Sequence, residues 1–101
     1  MKVFISQPMR GKSREEIMAV REKAIESVTK HFGETPEIIG TYIEDSIGDA
    51  SPLLCLARSI ELLSYADVAY FAKGWEEARG CRIENTCAIE YGIDVIEDYS
   101  K

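Results

Sequence analysis

The chain has 101 residues, 46% hydrophobic and 30% charged, which fits one domain over residues 1–101 with a modest core. Twelve Lys and Arg against eighteen Asp and Glu give a net charge of −6, and this excludes polymeric DNA or RNA as the expected partner. No apolar run approaches the roughly 20 residues that span a bilayer, the opening residues read as a strand instead of a signal peptide, and the three cysteines form no CxxC pair, so a cytoplasmic protein with reduced thiols and no membrane contact is expected.

In chain order, Lys2-Val3-Phe4-Ile5-Ser6 is apolar on both faces, the pattern of a strand buried in a parallel sheet. Gln7 to Lys12 read as a loop. Ser13 with Glu16 forms a capping box, and Ile17, Val20, Ala24, Val28 and Phe32 recur at helical spacing up to Gly33, which predicts a helix over 14–32. The β-branched and aromatic run Ile38 to Ile43 predicts a second strand. Ser51-Pro52 opens a helix with Leu53, Leu56, Ile60 and Leu63 inward, reaching about Tyr65, and Asp67 to Phe71 make strand three. Residues 73–80 break the period and read as a loop. Ile83, Cys87, Ala88 and Tyr91 then form a helical stripe ending at Gly92, and Ile93 to Ile96 are the last strand. Strands alternating with helices predict an α/β domain with a parallel sheet of four or five strands.

Ligands of such sheets sit beyond the carboxyl ends of the strands, which selects the loops after Ser6, Ile43 and Phe71. In the first loop Arg10, Gly11, Lys12 and Ser13 precede a helix N-terminus, suited to a phosphate or to a solvated turn. The spacing is not that of a Walker motif. Glu84 lies one turn into the third helix, four and seven residues before Ala88 and Tyr91. It reads either as a first-turn acid favoured by the helix dipole or as a partly desolvated carboxylate beside the Gly80 loop, the group that attacks an anomeric carbon in glycosyl transfer. Trp75 is suited to stacking on a base or to capping the core or an interface. Asp67 is suited to capping backbone groups or to holding a ribose hydroxyl, with Asp45 and Asp49 as weaker ribose candidates or solvated loop acids. His31 is the one histidine, so no multi-histidine metal site is expected, and neither metal nor cofactor is required.

The segments Val3-Phe4-Ile5-Ser6-Gln7-Pro8-Met9-Arg10-Gly11, Ser59 to Val68, and Gly74-Trp75-Glu76-Glu77-Ala78-Arg79-Gly80-Cys81-Arg82-Ile83-Glu84 with Ala88 and Tyr91-Gly92 resemble a DUF4406-type branch of the nucleoside 2-deoxyribosyltransferase-like superfamily. The likeness spans nearly the whole chain. It implies a flavodoxin-like, Rossmann-like three-layer sandwich in which Glu84 is the nucleophile, Asp67 the substrate-binding aspartate and Arg10-Gly11 the phosphate-side loop. Ser6, Pro8, Met9, Trp75 and Gly80 complete the implied substrate contacts. Where active members carry a strand-one tyrosine that orients the glutamate, this chain has Phe4. Ala78 and Arg82 stand near the serine and second glycine that reach the phosphate in the hydrolases, leaving Arg79 or Arg82 to meet it. The resemblance implies transfer or hydrolysis of the N-glycosidic bond of a nucleoside or nucleotide, or, given Phe4, a nucleotide-binding or sensing module without turnover. Chain length, exposed-type aromatics such as Trp75, Tyr65 and Tyr99, and the habit of deoxyribosyltransferases to complete their sites with a neighbouring subunit together imply a homodimer.

Overall fold

The computed structural model describes residues 1–39 and 51–100. Its elements follow the chain as β1 (Lys2–Ser6), α1 (Arg14–Phe32), β2 (Glu37–Ile38), α2 (Pro52–Leu63), β3 (Val68–Phe71), a single 3-10 turn (Trp75–Glu77), α3 (Arg79–Glu90) and β4 (Asp94–Glu97). The described strands form one parallel sheet in the order β2-β1-β3-β4. The fold is the expected α/β architecture, a flavodoxin-like sandwich with helices on both faces of the sheet.

Alternation along the strands makes the two layers. Val3 and Ile5 of β1 and Val68 and Tyr70 of β3 pack on Ala24 and Val28 of α1. Their neighbours Phe4, Ala69 and Phe71 face the other way, against Leu63 of α2 and Cys81 and Ala88 of α3. Because β1 and β3 are buried on both faces, Val3 to Ile5 and Val68 to Phe71 are apolar without a break, and the register Val3↔Val68 to Ser6↔Phe71 brings the carboxyl ends of the two strands level.

The start of α1 is closed as expected, with Ser13 Oγ accepting from Glu16 N at 3.1 Å and Glu16 Oε1 accepting from Ser13 N at 3.3 Å. Gly33 ends the helix in the left-handed conformation at φ 75°. Ser13→Ala is expected to cost about 1 kcal/mol and to lower the melting temperature by roughly 4–8 °C; an unchanged melting curve would show that the cap contributes nothing.

Three expectations shift. Residues 73–80 are not all loop, since the 3-10 turn occupies Trp75–Glu77 and α3 begins at Arg79. Leu53 is 74% exposed in the first turn of α2 instead of facing inward. The inward face of α3 is Cys81, Glu84, Asn85 and Ala88, whereas Ile83 and Tyr91 are exposed. Two polar side chains occupy that face because each has a buried or half-buried partner, Ser6 for Glu84 and Glu97 for Asn85. Of the second strand, Gly40 to Ile43 lie outside the described residues, as do Asp45 and Asp49. Among the described residues no helix is long and apolar enough to cross a membrane.

Candidate active site

A cleft of about 520 Å³ opens beyond the carboxyl end of β1, where the chain leaves to α1 on one face of the sheet while α2 and α3 cover the other. That is the crevice in which ligands of doubly wound sheets are held. The strand end and its loop contribute Ser6, Gln7, Pro8, Met9 and Arg10 to the walls. From α2 come Cys55, Leu56, Arg58, Ser59 and Leu62, and from the start of α3 come Ala78, Gly80, Cys81 and Glu84.

Glu84 is 7% exposed, at the base of this cleft. Ser6 Oγ donates to its Oε1 at 2.6 Å, bridging 78 residues of sequence. Burial pushes the Glu84 carboxyl above the usual carboxylate range, while the nearby hydroxyls of Ser6 and Ser59 pull it back. Cys81, one turn earlier on the same face, has its thiol pushed up to about 11, chiefly by burial; Ser6 and Arg82 act in the opposite sense, and the Glu84 charge adds to the rise. Glu84 is the one acid among the described lining residues, against Arg10, Arg21 and Arg58. Arg21 is half-buried and already partnered.

The amide end of α3 faces the cleft. Its N-cap is Ala78, whose side chain caps nothing, so the first-turn N–H groups have no side-chain acceptor there. A Cβ placed on Gly80 would meet nothing within 4 Å, so the backbone beside it is open. An uncapped helix start beside guanidinium groups favours an anion. At α1, by contrast, Ser13 and Glu16 already close the helix end, and Gly11, Lys12 and Ser13 do not line the cleft. Of the first loop's expected anion contacts, Arg10 is therefore at the cleft and Gly11 is not; Gly11 supplies a turn at φ 78°.

Ser6, Pro8, Met9, Arg10, Gly80 and Glu84 are thus brought together, and two other expected residues are not. Asp67 stands at the opposite end of the sheet, before β3, where its Oδ2 accepts from Lys2 N at 2.7 Å and its own N–H donates to Lys2 O at 2.8 Å. It caps backbone groups and holds the starts of β1 and β3 together; it does not reach a sugar in the cleft. Trp75 is 7% exposed, its ring 5.5 Å from Phe71 and 5.9 Å from Tyr99. It caps the core instead of stacking on a base or anchoring an interface, because the 3-10 turn rolls it under the C-terminal segment. Arg79 and Arg82 do not line the cleft either, and Arg82 Nη1 donates to Glu76 O at 2.9 Å. Arg58 and Ser59 also line the cleft, outside the residues expected from the sequence. Their signal was present in α2, where Ser59 is a hydroxyl three residues after Leu56 and four before Leu63, on the helix's apolar side.

No family model, no curated protein and no solved structure matches the chain.

Proposed function

We propose that the chain belongs to the nucleoside 2-deoxyribosyltransferase-like superfamily and transfers or hydrolyses the N-glycosidic bond of a nucleoside or nucleotide. The observation that carries this reading is the single buried carboxylate of Glu84, held by Ser6 at the base of a cleft whose other described charges are cationic. Glu84 attacks C1′ as the C1′–N bond breaks, the bonding pair leaves with the base, and a glycosyl ester forms on the carboxylate. Water or a second base then attacks C1′ and frees Glu84, with net retention. Ser6 takes over the orienting role for which Phe4 has no hydroxyl. Arg10, Arg58 and the open amides at Gly80 favour a ligand with an anionic end, such as a nucleoside 5′-phosphate.

A nucleotide-binding module without turnover is the second reading, favoured by the burial that raises the Glu84 pKa and so reduces its nucleophilic form. The two part on one experiment. The protein is incubated with nucleosides, nucleoside monophosphates and dinucleotides, and both thermal shift and base release are followed. Base release from a phosphorylated substrate supports the enzyme. Saturable stabilisation following RT ln(1 + [L]/Kd) without product supports the binding module, and neither response overturns both.

The same reading includes a homodimer in the cytoplasm. Trp75 is buried and so is no anchor, but Leu53, Tyr65, Tyr91 and Tyr99 remain exposed apolar side chains for a second copy to cover. Light scattering at micromolar concentration is expected to give twice the chain mass; a monomer at every concentration would refute the dimer.

A further inference from the structure

Gln7 follows Ser6 at the carboxyl end of β1 and lines the same cleft, yet the reaction described above gives it no task. We propose that Gln7 is a base-recognition residue whose side-chain oxygen accepts a hydrogen bond from the exocyclic amine of an amino-bearing nucleobase, adenine or cytosine. The proposal rests on the nucleoside reading of the cleft and adds to it the class of base.

Gln7 is 5% exposed, and its Nε2 donates to Ile17 O of α1 at 3.2 Å. That bond fixes which end of the amide is which, because the reverse orientation would set two carbonyl oxygens against each other. The end left over is Oε1, which is buried and has no hydrogen-bond donor among the described residues. A buried acceptor without a donor is unfavourable. Ile17 O does not depend on Gln7, since inside α1 the helical pattern also gives it the N–H of Arg21.

Ser6 and Gln7 send their side chains to opposite layers, Ser6 to Glu84 of α3 and Gln7 to α1. The cleft therefore has two sides. Glu84, Arg58 and Gly80 stand on the side of α2 and α3, which is where the sugar and the anionic end belong. Ile5, Gln7 and Arg21 wall the side toward α1, and Arg21 is already partnered there. An acceptor oxygen beside an apolar side chain repels a phosphate and suits a flat nucleobase whose amine donates to it. The last torsion of a glutamine side chain is broad, so a small swing of the amide turns Oε1 to the amine while Nε2 keeps Ile17 O. Where a base carries a carbonyl in place of the amine, lone pairs meet lone pairs and Oε1 stays unpaired.

The test compares the wild type with Gln7→Met and Gln7→Leu on two matched pairs, the 5′-phosphates of deoxyadenosine against deoxyinosine and of deoxycytidine against deoxyuridine. Preference within a pair is read as the ratio of kcat/KM for base release and, independently of turnover, as the ratio of Kd from thermal shift. The wild type is expected to favour the amino member of at least one pair on the order of tenfold or more, the effect of leaving a buried acceptor unpaired. Both variants lack the acceptor and bring that ratio to about one. Their ligand-free melting temperature stays close to that of the wild type, because one hydrogen bond and one stranded oxygen are removed together. A glutamine that merely ties β1 to α1 would give the reverse, a lower melting temperature and an unchanged ratio, and an unchanged ratio overturns the assignment. A wild type that treats both members of each pair alike, or favours the carbonyl, overturns it as well, whether or not the variants fold. No binding and no base release with any of the four nucleotides would instead remove the nucleotide reading itself, and the class of base with it.

Discussion

Glu84→Gln is expected to reduce base release on the order of a thousandfold or more, as removal of a nucleophile does, while making the protein more stable at neutral pH. The second effect follows from burial, which holds the folded-state pKa of Glu84 above its unfolded value. Below the ordinary carboxylate range the group is neutral in both states and costs nothing. As pH rises through the ordinary and then the raised pKa, the folded protein carries a buried charge that the unfolded chain would rather expose, and stability falls. Glutamine keeps an oxygen for Ser6 and carries no charge. Melting curves of the variant and the wild type should therefore separate at neutral pH, with the variant higher, and converge in acid. Undiminished turnover would remove Glu84 from the reaction; a variant less stable than wild type at neutral pH would show that the hydroxyls more than offset burial.

The largest loss of stability is expected at Trp75. Its ring fills the space between Phe71 and Tyr99, and Trp75→Ala leaves a cavity that costs about 3–5 kcal/mol, a large part of the ~5–15 kcal/mol that holds a domain together. The melting temperature should drop by more than about 10 °C. Trp75→Phe should lose much less, because among the described residues the buried indole Nε1 has no acceptor and phenylalanine leaves no donor stranded. If Trp75→Ala instead melted normally and bound nucleotides poorly, the ring would belong to the ligand site after all.

Periodicity carried the layers of the fold and the α1 cap, because both depend on neighbours a few residues away. It misplaced the inner face of α3 because Ile83 and Tyr91 are the more apolar choices, and the reason for burying Glu84 and Asn85 lies in partners 78 and 12 residues distant. Asp67 was legible in principle. It precedes β3, and in a parallel sheet that alone puts it at the end away from the ligand crevice. Trp75 was not, since the packing of Tyr99 on it depends on where β4 releases the chain. Ser6, whose hydroxyl reaches Glu84, lies two residues after Phe4 and so on the same face of β1.

The position of β4 at the margin of the described sheet also bears on how copies of this chain meet. Its outer backbone groups would offer a template for another strand, yet the strand begins at Asp94 and ends at Glu97, with Asp98 next. Two such margins laid side by side would set carboxylates against carboxylates, and like charges directly opposite are unfavourable. Continuous sheets running from one molecule into the next are therefore disfavoured along this border, whereas the helices expose apolar side chains such as Leu53 and Tyr91.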